Sequence, residues 1–565
     1  MRKAPEIVEV ASTQVEEVLR RVEQALDEKD TQLIRAVFES YVYVAGLVED
    51  KNTSIRRLRQ LFFGARTEKT EAVVGRQTEK PDATPPSGAV AATEVAAGQP
   101  TTNEPNSAAS AEAEPASASP GHGRNGAGAY GGADRIDVPH PSLGAGDPCP
   151  SCKQGTVYEK APGVVVRIIG QPPLTAKVYQ LQKLRCHLCG QVFTAQAPEE
   201  TGSQKYDATA GSMIGLLKYG SGLPFNRLEG LQGHLEIPLP ASTQWDIVAA
   251  VAAQLAPAYA ELIRQAAQGD VLHNDDTTVK ILELMGEGRS KILAQGAGEG
   301  NEADPRTGLF TSGVVALRDG QRVALFFSGH QHAGENLAAV LKLRAEELPP
   351  PIQMCDALSR NLPGELQTIL AHCLAHARRQ FVDVYDRFPE QCRYLLEALA
   401  VVYRNDASAR KRALAPEARL QWHQQESGPT MAQLHAWLTR QLDEKLTEPN
   451  SALGGAIRYM LKHWEKLTLF LRQAGAPLDN NVCERALKKA ILHRKNALFY
   501  KTQNGARVGD LFMSLIYTCQ LNEANPFDYL TELQRHPDQL AASPELWMPW
   551  NYRAAMADAP SQQPK

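Results

Sequence analysis

Residues 477–507 read PLDNNVCERALKKAILHRKNALFYKTQNGAR, and the rest of the chain can be organised around this stretch. Asp479 and the two Asn that follow are typical of a helix N-cap, and Cys483, Leu487 and Ala490 recur at the spacing of one helical face. The segment therefore predicts a helix. Glu484 lies in its first turns and is followed by basic residues with no further acidic one: Arg485, Lys488, Lys489, Arg494, Lys495, Lys501 and Arg507.

A single carboxylate at the start of a basic run suits a metal-binding acid held against a polyanion. Divalent metals need oxygen ligands, whereas a phosphate backbone needs Lys and Arg. The alternative is an exposed helix in which Glu484 and Lys488 form an ordinary i,i+4 pair.

Length and composition limit the functional classes. A chain of 565 residues predicts three or four domains, and an apolar fraction of 43% can fill their cores. The net charge of -4 gives no global attraction to nucleic acid, so binding must come from local patches. The longest apolar tract, Ile247 to Ile263, is interrupted by Gln254, Pro257 and Glu261, which favours a soluble protein without a membrane partner. Nine cysteines, four of them in two CxxC pairs, favour a reducing and hence cytoplasmic compartment.

The amino-terminal third is predicted to contain an association element and a linker. Residues 1–73 form the predicted coiled-coil region: between Val15 and Phe62 apolar residues recur at alternating three and four spacing with Lys51 in the seam, which also predicts a homo-oligomer. An intramolecular helical hairpin is the alternative. Residues 74–138 are rich in Ala, Gly, Pro, Ser and Thr and predict a disordered linker.

Residues 139–200 carry two CxxC pairs that flank β-rich sequence. Four thiolates at this spacing are typical of a structural Zn²⁺ site, which stabilises a domain too small to fold on its own core. The predicted zinc ligands are Cys149, Cys152, Cys186 and Cys189.

The remaining sequence predicts a multidomain α/β protein. Residues 201–268 are helical, with a helix-turn-helix and a support for the following domain as alternatives. Alternating strands and helices follow in 269–385, then a helical insertion (386–476), a segment with the Glu484 helix and further helices (477–540) and a tail (541–565).

Two aspartates lie where strands are predicted to end. Asp275 belongs to the strand candidate VLHNDDTTVKILEL, and Asp356 ends a short buried strand. With Glu484 they could converge at one edge of a sheet and hold Mg²⁺ or Mn²⁺ for phosphodiester cleavage or strand transfer.

These segments together resemble transposases of the insertion-sequence-66 family, members of the DDE superfamily with an RNase H-like catalytic core. The resemblance rests on LRQLFFGARTEK, the CxxC pairs, KYGSGLPFNRLEGLQ, HNDDTTVKIL, CLAHARRQF and above all DNNVCERALKKAILHRKNALFYKTQNGAR. It implies that Asp275, Asp356 and Glu484 are the catalytic, Mg²⁺-binding acids. The family usually has Asp-Glu-Thr where this chain has Asp275-Asp276-Thr277, so Asp276 is a rival, and the family's Asp-Gly-Tyr is absent at Asp356.

The resemblance further implies cleavage at transposon terminal inverted repeats, joining to target DNA, accessory proteins of the same element and a nucleoid-associated location in a bacterial cytoplasm. The basic residues after Glu484 would bind DNA phosphates. Cys373 and His376 match a CxxH of the family, either as metal ligands or as a core Cys and a capping His. The rival functions are a non-catalytic dimeric DNA-binding protein derived from a transposase, and an RNase H-like nuclease.

Overall fold

The computed structural model describes residues 140–150, 153–158, 171, 173–185, 192–198, 201–202, 204–286 and 306–558. They divide into two compact units. The larger comprises the described residues of 215–222 and 249–558, and the smaller those of 140–214 and 223–248. The predicted coiled coil and linker lie outside the described residues.

The smaller unit contains a short hairpin and helices. Strand β1 (Lys183–Arg185) pairs antiparallel with β2 (Val192–Thr194), and helices α1 (Ala208–Gly215) and α2 (Phe225–His234) follow. Cys149 is half-buried with a free thiol, and its carbonyl accepts a hydrogen bond from the Lys153 amide (2.9 Å). The zinc site stays a prediction because the other three cysteines lie outside the described residues.

Helix α3 (Ala241–Ala267) is the one helix in the described part of the chain that is long and apolar enough to cross a membrane by length and composition. Its carboxyl-terminal half nevertheless behaves as a core helix. Leu255 and Leu262 are fully buried, and Glu261 forms an ion pair with Arg264 at 2.6 Å. The interrupted apolar tract at residues 247–263, from which the sequence predicted a soluble protein, lies within this helix.

A five-stranded mixed sheet forms the centre of the larger unit. Its strands are β3 (Val271–Thr278), β4 (Phe310–Arg318), β5 (Gln321–Gly329), β6 (Ile352–Cys355) and β7 (Ile369–His372). The order across the sheet is β5-β4-β3-β6-β7. The first three strands are antiparallel neighbours, while β6 and β7 run parallel to β3. This arrangement confirms the mixed α/β prediction.

Helices complete the larger unit. Helix α4 (Ala333–Leu341) connects β5 to β6, and α5 (Leu374–Asp383) follows β7. The predicted helical insertion contains α6 (Pro389–Lys411), α7 (Pro416–Glu426), α8 (Gly428–Asp443), α9 (Ala452–Lys462) and α10 (Trp464–Leu467). The chain then forms α11 (Asn481–Ala497), α12 (Gln503–Leu521), α13 (Pro526–Arg535), α14 (Pro537–Ala542) and α15 (Tyr552–Asp558).

The insertion shares its core with the sheet. Met354 of β6 and Phe381 of α5 belong to the same buried cluster as Leu399, Leu438 and Ile457 of the insertion helices. The insertion is therefore packed as part of the catalytic-domain candidate and has no separate core in the described residues.

Helix α12 closes the outer edge of β5. Polar side chains at every fourth position of the helix accept hydrogen bonds from every second amide of the strand. Asn522, Thr518, Ser514 and Asp510 accept from the amides of Arg322, Ala324, Phe326 and Ser328, at 3.1, 3.1, 3.0 and 2.7 Å. An edge strand with unpaired amides is a template for foreign strands, and here those amides are occupied.

The carboxyl-terminal segment corrects one prediction. A tail was expected from residue 541, but a 3-10 turn at Pro544–Trp547 and helix α15 are folded there. Trp547, Met548 and Tyr552 are almost fully buried. The prediction fails because these apolar residues lack a helical or alternating period, so their burial depends on distant partners such as Tyr529, whose hydroxyl donates to the Trp547 carbonyl (2.8 Å).

Candidate active site

The three predicted acids come from three elements that meet near the carboxyl ends of the neighbouring strands β3 and β6. Asp275 lies in β3, Asp356 directly follows β6, and Glu484 lies in the first turn of α11, which packs on β3 and β4. The parallel register pairs His273 with Met354, so its continuation brings Asp356 beside Asp275.

The pKa of Asp275 reflects the other carboxylates near it. Burial raises its pKa, and the negative charges of Asp356, Asp276 and Glu484 raise it further, to about 7. Its Oδ1 accepts a hydrogen bond from the Asp276 amide (2.8 Å), which opposes the rise. Several carboxylates gathered in a partly buried site repel one another unless a proton or a cation joins them.

Asp276, the rival acid, points to the opposite face of the sheet. Successive strand residues alternate between faces, and Asp276 meets the start of α4. Its Oδ2 lies 2.9 Å from His332 Nδ1 and its Oδ1 lies 3.3 Å from Arg360 Nη2, with the carboxylate only 2% exposed. Asp276 is thus committed to an internal ion pair, whereas Asp275 faces α11.

Asp356 is oriented by the turn that follows it. Its Oδ1 accepts hydrogen bonds from the Leu358 amide (3.1 Å) and from the side-chain amide of buried Asn361. The backbone carbonyl of Asn361 in turn accepts hydrogen bonds from the side-chain amides of Asn274 on β3 (2.8 Å) and Gln353 on β6 (2.7 Å). This network ties the position of Asp356 to both strands, although the sequence context gave no sign of it.

Helix α11 is fixed on the sheet by close packing. An ideal Cβ at Gly313 in β4 would lie 3.1 Å from Leu487 Cδ2 and 3.4 Å from Cys483 Sγ, so any larger residue would require these side chains to shift. The Cys483 thiol also donates to the Gly313 carbonyl (3.3 Å). Because Gly313 pairs with Asp275, this close approach sets the separation between Asp275 and the Glu484 helix.

Polar bonds at both ends of α11 complete its attachment to β3. The N-cap residue is Asn480, one position after the predicted Asp479, and its side chain meets His273 Nδ1 (3.0 Å) and donates to the Asn274 carbonyl (3.1 Å). Burial lowers the pKa of His273 to about 4, so this imidazole is neutral. At the other end, Arg494 donates to Thr277 Oγ1 (3.2 Å) and to Thr278.

Glu484 belongs to a second cluster of ligand-type atoms. Ligand atoms of Cys373, His376 and Glu484 all lie within 4.8 Å of one another, and Glu484 Oε1 lies 3.8 Å from His376 Nε2. This Oε1 and His376 Nδ1 are buried atoms without a hydrogen-bond partner. Cys373 accepts a hydrogen bond from the Asn480 amide (3.2 Å), and burial raises the pKa of its thiol to about 12. The Cys373 and His376 side chains of the CxxH motif therefore lie beside Glu484.

The predicted DNA-binding residues are not equivalent. Exposed side chains belong to Arg485, Lys488, Lys495, Lys501 and Arg507. Lys489 is half-buried with its Nζ 5.7 Å from the centre of the Tyr517 ring, and Arg494 is engaged with β3. A cavity of about 830 Å³ lies beside Arg507 between α3, the end of β5 and the start of α12, and none of the three acids lines it.

The chain is similar to known protein sequences. A family model described as "Transposase IS66 family" matches residues 205–294 and 319–508, which include Asp275, Asp356 and Glu484. Two of the similar relatives are from Sinorhizobium fredii. Uncharacterized protein y4hP is 27% identical over 433 residues, 72% of this chain and 74% of that protein. Uncharacterized protein y4jD is 35% identical over 190 residues, 33% of this chain and 36% of that protein.

Proposed function

Because the chain belongs to the IS66 transposase family, we propose that it cleaves the ends of an insertion sequence and joins them to target DNA. The observation that carries this proposal is the convergence of Asp275, Asp356 and Glu484, expressed in the raised pKa of Asp275. We assign the catalytic role to Asp275 because Asp276 is committed to His332 and Arg360.

We further propose that the larger unit is an RNase H-like core. Three antiparallel strands followed by two strands parallel to the first, with the acids on β3, after β6 and on a helix packed against the sheet, support this assignment. The helical insertion between Asp356 and Glu484 packs into the core of that unit.

The donor chemistry of the three acids suits a divalent cation. Asp275, Asp356 and Glu484 offer carboxylate oxygens, the donors that Mg²⁺ and Mn²⁺ prefer. Glu484 Oε1 is buried without a hydrogen-bond partner, and the mutual repulsion of the acids raises the pKa of Asp275; a bound cation would relieve both. Mg²⁺ at this position would stabilise the negative charge that develops on the reacting phosphate.

The chain's own residues would supply orientation. Asn361 holds Asp356, while Gly313, Cys483 and Asn480 hold the helix that carries Glu484. In the first reaction, water bonds to phosphorus at the transposon end and the departing 3′ oxygen takes up a proton. In the second, this 3′ hydroxyl attacks a target phosphodiester and displaces a 3′ oxygen of the target strand.

Further partners follow from the same proposal. Exposed Arg485, Lys488, Lys495, Lys501 and Arg507 would bind backbone phosphates of the terminal inverted repeats and target DNA. The predicted zinc domain and the helices before β3 would contribute sequence recognition. The amino-terminal region would join copies of the chain, and accessory proteins of the element would take part, in a bacterial cell whose DNA is the substrate.

The decisive experiment is nicking of a labelled duplex that bears the element's own end, with Mg²⁺ or Mn²⁺ and the accessory proteins. Glu484→Gln removes the ligand charge with almost no change in size, and exposed Glu346→Gln is the matched control. We expect Glu346→Gln to nick like the wild type and Glu484→Gln to lose at least about a hundredfold in rate while retaining DNA binding. Equal nicking by the two variants would remove Glu484 from the chemistry, and binding without nicking by the wild type would favour the non-catalytic function.

A further inference from the structure

An apolar pair projects from the turn that ends α11. Leu498 is 62% exposed and Phe499 is 44% exposed. Leu498 has φ 69° and ψ -43°, and the Phe499 amide donates to the Ala497 carbonyl (2.9 Å). This is a three-residue turn with positive φ, a strained conformation that is rare for a branched side chain. The pair is therefore held outward against both its conformational and its hydrophobic preference.

The base of this turn is rigid. The Tyr500 amide donates to the Lys280 carbonyl (2.9 Å), and the Leu282 amide donates to the Tyr500 carbonyl (2.9 Å), so the chain after the turn pairs with the segment after β3. The buried Tyr500 ring stacks on His493 with 4.7 Å between ring centres. A rigid base keeps Leu498 and Phe499 from folding back onto the protein.

Cationic side chains surround the apolar pair. Exposed Lys280 and Lys501 lie next to the paired segments at its base, and Lys495 lies one helical turn before it. The carboxylate of nearby Glu283 accepts a hydrogen bond from the Gln503 amide (2.6 Å), and the three cations outnumber this one negative charge. A polyanion is thus attracted to the surface from which the pair projects.

The exposed face of α11 connects this turn to the candidate active site. Arg485, Lys488, Leu492 and Lys495 are exposed at spacings of three and four, opposite the face that packs on the sheet. Leu498 lies fourteen residues after Glu484, about 21 Å along a helix at ~1.5 Å per residue. That length corresponds to about six base pairs of duplex at ~3.4 Å each.

We propose that Leu498 and Phe499 form a wedge that enters double-stranded DNA and separates adjacent bases while Arg485, Lys488 and Lys495 hold the flanking phosphates. Apolar side chains inserted between base steps, with cations on the backbone beside them, are a recognised way for proteins to distort a duplex. The wedge would act within about six base pairs of the reacting phosphate, the limit reached if the duplex runs along α11. This inference rests on the proposed function, because it takes transposon-end DNA as the substrate.

The test uses duplexes of the element's end that carry 2-aminopurine at successive positions, since its fluorescence rises when a base loses its stacking partners. The full-length Glu484→Gln protein without added divalent metal, so that the DNA stays intact whether or not Glu484 is catalytic, is the reference, and each variant below is made in it. Leu498→Ala with Phe499→Ala is the test variant, and Leu446→Ala, 57% exposed in the insertion, is the matched control. Phe499→Tyr retains the ring, and comparing thermal unfolding verifies that each variant is folded.

We expect a fluorescence rise at one or two adjacent positions with the reference protein, Leu446→Ala and Phe499→Tyr. The double variant should lose that rise while its affinity for DNA changes by less than about tenfold, because the phosphate contacts remain. The double variant Lys488→Ala, Lys495→Ala should instead weaken DNA binding. The slope of log affinity against log salt concentration should fall in magnitude by about two, because two phosphate contacts are lost.

An unchanged rise in the double variant, or bound DNA without any rise in the reference protein, would overturn the wedge. If the double variant changes the oligomeric state instead of the fluorescence, the pair contacts a second copy and the inference also fails. Neither result depends on nicking, so failure of the wedge is distinguishable from failure of the proposed catalytic function.

Discussion

At the scale of single residues, Asp275 and Asp276 show how adjacent identical side chains acquire different roles. The strand turns them to opposite faces, where one meets other carboxylates and the other meets His332 and Arg360. Burial and like charges raise the pKa of Asp275, whereas the Asp276 carboxylate lies within hydrogen-bonding or ion-pairing distance of His332 and Arg360. We therefore expect Asp275 to serve function and Asp276 to serve stability.

We expect Asp275→Asn and Asp276→Asn to have opposite effects on stability. In metal-free protein at pH 8, Asp275→Asn removes a repelled charge and should raise the free energy of unfolding by on the order of 1 kcal/mol, while abolishing nicking. Asp276→Asn leaves His332 and Arg360 without their carboxylate and should lower the free energy of unfolding by about 1–3 kcal/mol. Urea unfolding and nicking of both variants check this. Loss of stability in Asp275→Asn would show that the acids are not repelling one another.

The sequence predicted the residues of the candidate site better than their supports. Asp275 and Asp356 lie at strand positions that local patterns reveal, and Glu484 stands out within a basic helix. Asn361 and Gly313 could not be predicted because their roles depend on partners far away in sequence: Asn274 is 87 residues from Asn361, and Leu487 belongs to a helix beyond the insertion. Local periodicity carries no information on such contacts.

At the scale of elements, the contact between β4 and α11 determines where Glu484 lies. A methyl group at position 313 would be crowded, since Leu487 and Cys483 lie 3.1 and 3.4 Å from the Cβ position. Gly313→Ala should therefore push α11 away from the sheet by a few tenths of an ångström or more, lowering the free energy of unfolding by about 1–3 kcal/mol. Nicking should fall at least about tenfold because the acids are misplaced.

The matched control for this prediction is Gly455→Ala in α9. No atom lies within 4 Å of its Cβ position, and alanine is the better helix former, so this variant should be unchanged or more stable by up to about 1 kcal/mol. Thermal unfolding and single-turnover nicking distinguish the two glycines. If Gly313→Ala nicks at the wild-type rate, the close approach of α11 does not control the site.

At the scale of the whole molecule, the insertion is joined to the sheet by a common core and has a charge network of its own, centred on buried Asp406. Asp406 lies 2.7 Å from Arg419, 2.9 Å from Arg410 and 3.2 Å from His423 Nε2, and His423 Nδ1 meets Ser427 Oγ (3.0 Å). Burial alone would raise the pKa of Asp406, but His423 and the arginines outweigh it and lower the pKa to about 2. The network links α6 to α7 and the start of α8.

This network makes the larger unit sensitive to acid. The folded-state pKa of Asp406 lies below its ordinary value of 3.8, so its carboxylate stabilises the fold above pH 4, and the contribution is lost as pH falls through about 2. Asp406→Asn should lower the free energy of unfolding by about 2 kcal/mol at pH 7, with a smaller penalty near pH 3. Urea unfolding at both pH values measures this, with exposed Asp443→Asn as the control. A penalty independent of pH would show that packing, and not charge, is lost.

The polar side chains with which α12 covers β5 also determine when the sheet can be finished during synthesis. The strand amides lie at residues 322–328 and their partners on α12 lie 182 to 200 residues later. At ~5–20 residues per second, a ribosome needs on the order of 10–40 s to make the intervening chain. Throughout that interval the nascent sheet has an open edge, so premature termination before α12 leaves a product prone to aggregate. Only chains that extend through Asn522 can make all four of these contacts and close the edge.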